Sequence, residues 1–133
     1  MSAAQLNSTF LRLKPNACME PLPVDETFWA RLGSGQLGDF HNEYLVSSFA
    51  YSDDWNQWEM HPNGDELVVL LSGSIEFIME IDGLPKSTLL NEPCAFVRVP
   101  QGTWHTAKVA EPSHLLFITA GEGTQHRPAN HGR

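Results

Sequence analysis

Trp58-Glu59-Met60-His61-Pro62-Asn63-Gly64-Asp65-Glu66, followed by the apolar run 67–71 and Ser72-Gly73, decides how the rest of the chain reads. Glu59 and His61 are two residues apart, so on a strand they share a face. Pro62 ends ladder pairing, and Gly64-Asp65 suits a turn. Glu66 opens the returning strand, which carries its carboxylate back beside His61. A second signal is Pro100-Gln101-Gly102-Thr103-Trp104-His105, a tight turn leading into a strand. Alternation puts His105 on one face with Ala107 and Val109, and Trp104, Thr106 and Lys108 on the other. Lys108 needs solvent, so His105 points inward.

Outward from these stretches the chain reads as short strands separated by turn residues. They are Thr9–Leu13, Tyr44–Tyr51, 55–61, 66–71, 74–81, 86–90, 95–99, 104–109 and 115–119. Ser72-Gly73, Asp82-Gly83, Asn91-Glu92-Pro93 and Glu111-Pro112-Ser113 are among the turns between them. That spacing predicts an all-β sandwich, jelly roll or barrel. Residues 14–23 carry three prolines and read as extended or looped. Residues 24–32 read as a short helix with Asp25 as N-cap, an apolar face of Phe28, Trp29 and Leu32, and Gly33 and Gly35 at its end. Both faces of 66–72 are apolar (Val68 and Leu70; Leu67, Val69 and Leu71), so cover is expected on both sides, by a second layer, the N-terminal segment or a partner subunit. The expected organisation is an N-terminal strand, loop and short helix over 1–42, a barrel over 43–120 and a tail over 121–133, poorly packed at its end.

Composition bounds the function classes. The chain has 133 residues, 41% hydrophobic and 18% charged, which suits one folded domain. The formal net charge is −8, with eight scattered Lys and Arg, against a nucleic-acid or anionic-membrane partner. Cys18 and Cys94 are too few for a disulfide scaffold and read as plain thiols of a reducing compartment. The N-terminus has neither a basic region nor a long apolar core, so it does not read as a signal peptide. A cytoplasmic location is expected.

Two imidazoles and two carboxylates around one point suit a divalent transition metal, Fe, Mn, Ni or Zn. Two ionised carboxylates would neutralise such a cation; without it they would repel in a low-dielectric barrel. The candidate ligands are Glu59, His61, Glu66 and His105. Glu59 reads alternatively as a group holding a ligand histidine, or as a catalytic acid/base. Trp55 and Gln57 share its face and are candidates for the substrate pocket. Asp65 reads as a turn residue. His41 and His114 read as structural or exposed, His126 and His131 as solvated, and Trp29, Trp58 and Trp104 as core or interface residues.

These residues resemble the cupin family. Its first motif is G-x5-H-x-H-x3,4-E-x6-G, which His61-x4-Glu66-x6-Gly73 matches at the second histidine, the glutamate and the closing glycine. Its second, G-x5-P-x-G-x2-H-x3-N, is matched by Pro100-x-Gly102-x2-His105. The segment also looks like that of small single-domain bacterial cupins with W-E-x-H-P-x-G-D-E. The resemblance spans residues 43–119. It implies a double-stranded β-helix barrel, a metal held by the motif side chains, and frequent dimers, here a homodimer. Three positions depart from the pattern: Glu59 stands at the first histidine, Cys94 at the leading glycine of the second motif, and Val109 at its asparagine. The functions expected are a metal-dependent enzyme acting on a small organic molecule, dioxygenase-like first and isomerase or lyase next, or a non-enzymatic small-molecule-binding or sensor protein.

Overall fold

The computed structural model describes residues 2–131. Among them are nine strands and one short helix: β1 (Thr9–Leu13), β2 (Met19–Pro23), α1 (Phe28–Gly33), β3 (Tyr44–Tyr51), β4 (Gln57–Met60), β5 (Glu66–Ile81), β6 (Leu84–Leu90), β7 (Phe96–Val99), β8 (His105–Thr119) and β9 (Gln125–Pro128). The expected all-β architecture is present, and no helix among these residues is long and apolar enough to cross a membrane.

The long strands β5 and β8 form the spine. They pair antiparallel from Glu66↔Thr119 to Met79↔His105. Both bend near their middle, which folds one sheet into two layers. The first half of β5 and the second half of β8 lie in one layer, with β7 on one side and β3, β1 and β2 on the other. The remaining halves lie in the second layer with β6, β4 and β9. Inward residues of both layers form the main core, including Val68, Leu70, Ile75, Phe77, Leu115 and Phe117. Each side chain buried this fully contributes about 1.5–3 kcal/mol relative to exposure.

Three boundaries differ from the sequence reading, for physical reasons. Residues 66–71 and 74–81 are one strand, not two joined by a turn at Ser72-Gly73. The pairing slips between Leu70 and Ile75. The inward positions run 66, 68, 70 and then 75, 77, so the alternation changes phase. A β-bulge has this signature, and in sequence it resembles a turn. Likewise 104–109 and 115–119 are both parts of β8, and Glu111-Pro112-Ser113 is its bend. Residues 14–23 contain β2, whose Pro21 and Pro23 are tolerated because β2 is the sheet's edge.

The tail supplies β9, which pairs with β4 from Gln57↔Pro128 to Met60↔Gln125. Arg127 on β9 lies over the rings of Trp58, at 5.1 Å, and Trp104, at 4.5 Å, and meets Glu80 at 2.5 Å. These two tryptophans therefore grip a cation that anchors the tail. The final two residues lie outside the described set, so the end for which poor packing is expected is only partly covered.

A second cluster joins the N-terminal elements to the barrel. Phe10, Leu22, Phe28 and Phe40 are buried together, and Phe10 meets Phe28 and Phe49 edge-on at 5.4 and 5.5 Å. The helix is shorter than the expected 24–32. Its N-cap is Thr27, and the Asp25 carboxylate instead accepts bonds from the Thr27 N–H and hydroxyl at 2.8 and 2.7 Å. The other face of β5 is only partly covered by this chain: Leu67 and Val69 are half-buried, Leu71 is 38% exposed, and Phe96 beside Val69 is 62% exposed.

Two positions test the backbone argument. Gly73 has φ +95°, and a Cβ there would lie 2.2 Å from Ser113 Oγ and 2.6 Å from Pro112 O. Gly73→Ala is predicted to lower unfolding stability by about 2–3 kcal/mol, from a strained backbone and a crowded bend. Cys94 has φ +74° and is exposed, at the position where the cupin motif has glycine. Cys94→Gly is predicted to raise stability by roughly 1 kcal/mol. Urea titration of both variants measures the two signs; equal signs contradict the assignment.

Candidate metal centre

The site lies at the end of the barrel away from the bend. Glu66 is the first residue of β5, opposite Thr119, the last of β8. In the second layer, His105 opens β8 and stands opposite Glu59 of β4. His61 follows β4 directly. The two turns that flank these residues hold each other. Gly102 N–H donates to His61 O at 2.9 Å, and Gln101 N–H to Asp65 Oδ1 at 2.8 Å. Gln101 Nε2 donates to Pro62 O at 2.7 Å. Asp65 is thus a clamp between turns, directed away from the cluster.

Hydrogen bonds fix the imidazoles. His105 Nδ1 lies 3.0 Å from Thr103 O, which can only accept, so Nδ1 carries the proton. His61 Nδ1 lies 2.8 Å from Thr124 Oγ1, whose own hydroxyl donates to Gly121 O at 2.9 Å. That hydroxyl must therefore accept from His61 Nδ1–H. In the neutral form, both Nε2 atoms present lone pairs. Glu66 Oε2 accepts from Thr119 Oγ1 at 2.6 Å, leaving Oε1. His61 Nε2, His105 Nε2 and Glu66 Oε1 are all buried, and none has a hydrogen-bond partner among the described residues.

These atoms face one another. Glu66 Oε1 is 3.1 Å from His105 Nε2, and Glu66 Oε2 is 3.4 Å from His61 Nε2. Glu59 Oε2 is 3.9 Å from His61 Nε2. Ligand-type atoms of Glu59, His61 and His105 all lie within 4.8 Å of one another. Acceptors crowded around one point repel unless a positive charge joins them. A divalent cation would satisfy the requirement, and the mixed imidazole and carboxylate set suits a transition metal. The residues fit such an ion.

Without a metal, protons have to serve instead. Burial pushes the Glu66 carboxyl upward, but the adjoining His105 and His61 outweigh it and hold it down at about 2. Burial pushes His105 downward, and the Glu66 carboxylate more than reverses this, so its value is raised. Burial, with the charges of Glu59 and Glu66, lifts the Tyr51 phenol far above its ordinary range.

Trp55 and Gln57 both line the cavity beside this cluster. Trp55 lies just outside β4 and meets His105 edge-on at 6.3 Å, while Phe77 stacks on His105 at 5.6 Å. His126, expected to be solvated, pairs in register with Glu59 and places Nε2 3.5 Å from its Oε1. His131 Nε2 lies 2.8 Å from Trp55 O. His41 meets Glu122 at 3.1 Å, and His114 meets Ser48 Oγ at 3.0 Å. Thr119, Thr124 and His126 were not legible as site residues, because their places follow from strand register and not from local spacing.

No family model matches the chain, and neither does any curated protein. Solved structures do. A cupin-2 domain protein from Shewanella frigidimarina shares 18% identity over 59% of this chain and 72% of its own, with a TM-score of 0.49. An oxalate oxidase shares 10% over 61% of this chain and 44% of its own, at 0.53. Peruvianin-I, a cysteine peptidase from Thevetia peruviana latex, shares 14% over 66% and 56%, at 0.53.

The pH dependence of the metal-free protein follows from the paired charges. The Glu66 contribution is complete above its ordinary 4.5 and is lost as pH falls from there through about 2. The His105 contribution is complete below 6.5 and is lost as pH rises through its raised value. Thermal melts after chelation are therefore predicted to show both contributions in full only between about pH 4.5 and 6.5. Glu66→Gln is predicted to flatten the acid limb, which is worth on the order of 3 kcal/mol in wild type. An unchanged acid limb in that variant contradicts the pairing. The two-layer barrel, the paired motif turns and the likeness to the two solved structures at a TM-score of 0.53 together show that this chain has the cupin fold.

Proposed function

We propose that this protein binds a divalent transition metal, Fe, Mn, Ni or Zn, through His61, Glu66 and His105, with Glu59 as a fourth ligand or as the acid/base beside it. The observation that carries this reading is the set of three buried acceptor atoms that have no hydrogen-bond partner among the described residues and converge from both layers. The ion would supply Lewis-acid or redox chemistry to a small organic molecule held in the adjoining cavity.

The chain's own residues have separable tasks in this reading. Thr103 and Thr124 hold the imidazoles with Nε2 toward the ion. Thr119 fixes the Glu66 carboxylate. Glu59 is 34% exposed at the cavity wall, where its carboxylate can take or return a proton of the bound molecule. His126 sits behind it as a positioning residue. Trp55 and Gln57 bound the space in which that molecule lies. Oxygen-dependent chemistry is the first enzymatic reading, because a His/carboxylate site with open positions suits Fe(II). Isomerase or lyase chemistry is next. Binding without turnover, as in a sensor, is the alternative.

We further propose a homodimer formed through the exposed apolar face around Leu71 and Phe96, and a reducing, cytoplasmic setting for the free thiols Cys18 and Cys94. The metal test is reconstitution with Fe, Mn, Ni and Zn, followed by metal analysis. Wild type is expected to hold about one ion per chain, and His61→Ala or His105→Ala to lose it. Absence of metal from wild type sinks the proposal. Full retention in Glu59→Gln removes Glu59 from the ligand set and leaves it as a group holding a ligand histidine or as the acid/base. Oxygen uptake with catechols, thiols and β-diketones separates an oxygenase from a binding protein. Light scattering is expected to give the mass of two chains; a monomeric mass removes the dimer.

A further inference from the structure

A cavity of about 980 Å³ runs from the candidate metal centre, at Glu59 and His61, to helix α1. That size accommodates an ordinary small organic molecule. Its wall is unusually aromatic. Trp29, Phe49, Tyr51, Trp55 and Phe117 all line it. Their rings form a continuous series: Trp29–Phe49 at 5.7 Å, Phe49–Tyr51 at 6.2 Å, Tyr51–Trp55 at 5.5 Å and Trp55–Phe117 at 6.0 Å. Core packing alone does not require this, since Trp29 sits on the helix and is 49% exposed. Trp55 Nε1–H is buried and has no hydrogen-bond partner among the described residues.

The charges are equally one-sided. Asp53, Asp54 and Glu59 line the cavity, and among the described residues no Lys or Arg does. The whole chain carries −8. An anion entering this space would lose its water and meet these carboxylates, with no Lys or Arg to receive it and only His61 and His126, both already beside Glu59, able to carry a positive charge. With the proposed metal in place, Glu59 and Glu66 would offset its two positive charges, and Asp53 and Asp54 would keep the cavity negative. Aromatic faces, by contrast, attract cations as well as flat apolar surfaces.

We infer that the site takes a planar aromatic molecule that is uncharged or cationic, and that it discriminates against carboxylates and phosphates. This rests on the reading of the barrel as a metal-binding site for a small molecule, and it narrows the class of that molecule. The guest's ring lies along the aromatic series, with its oxygen substituents toward Glu59 and His61.

The test is calorimetric titration of the full chain, chelated and zinc-loaded, with four probes of similar size. These are catechol (neutral), dopamine (cationic), 3,4-dihydroxybenzoate (anionic) and cis-1,2-cyclohexanediol (not aromatic). Catechol and dopamine are expected to bind at least about tenfold more tightly than the other two. Trp29→Ala, a change at a half-exposed position, is expected to weaken catechol and dopamine by about two- to tenfold. Equal binding of dihydroxybenzoate and dopamine overturns the charge argument. Equal binding of cyclohexanediol and catechol, no binding of any probe, or an unchanged affinity in Trp29→Ala overturns the aromatic one. Zinc stoichiometry is measured in the same samples. A chain that holds no zinc yet prefers dopamine supports this inference while removing the metal. A chain that holds zinc without any aromatic preference does the reverse.

Discussion

Three lone pairs that must share one positive charge govern this molecule. His61 Nε2, His105 Nε2 and Glu66 Oε1 are buried and aimed at one another, and with neutral imidazoles none has a hydrogen-bond donor among the described residues. Each is forced into that role by a bond on its far side: Thr124 for His61, Thr103 for His105, and Thr119 for Glu66 through its other oxygen. Leaving such groups buried without a compensating charge costs several kcal/mol. Protons can supply the charge, as the lowered Glu66 and raised His105 values indicate. A divalent ion would supply it with more reach, joining the second carboxylate as well.

The architecture serves to bring these groups together from distant parts of the chain. Two long strands pair along their length and bend together, so residues at their outer ends meet across the core. The bend needs a position without a side chain where the strands touch, and Gly73 against Ser113 provides it. At the other end the turns around Gly64 and Gly102 are bonded to each other through Asp65, Gln101 and the His61 carbonyl. β9 completes the wall, and the grip of Trp58 and Trp104 on Arg127 keeps it there.

Much of this was legible in the sequence. The i, i+2 relation of Glu59 and His61, the turn before Glu66 and the inward parity of His105 are local facts, and local facts survive folding. The bends of β5 and β8 were not legible as bends. A phase break in alternation at Ser72-Gly73, and a proline at 112, look the same in a turn and in a bulge. The site residues from the tail were hidden for another reason. Nothing near Thr124 or His126 marks them; only the register Glu59↔His126 brings them in. Tyr51 ends a strand that nothing in the sequence marks as part of the site, and its place near two carboxylates follows from the fold of both layers.

The fold does not choose the chemistry, since structures similar to it include an oxalate oxidase and a cysteine peptidase. The choice rests with the cluster and with the cavity in front of it. X-ray absorption spectroscopy of the zinc-reconstituted protein tests the central claim directly, because it reads the atoms bound to the ion. The expected first shell contains two imidazole nitrogens, from His61 and His105, together with carboxylate oxygen, and the imidazole signature falls away in His105→Ala. A shell of oxygen alone, or one unchanged in that variant, would contradict the account.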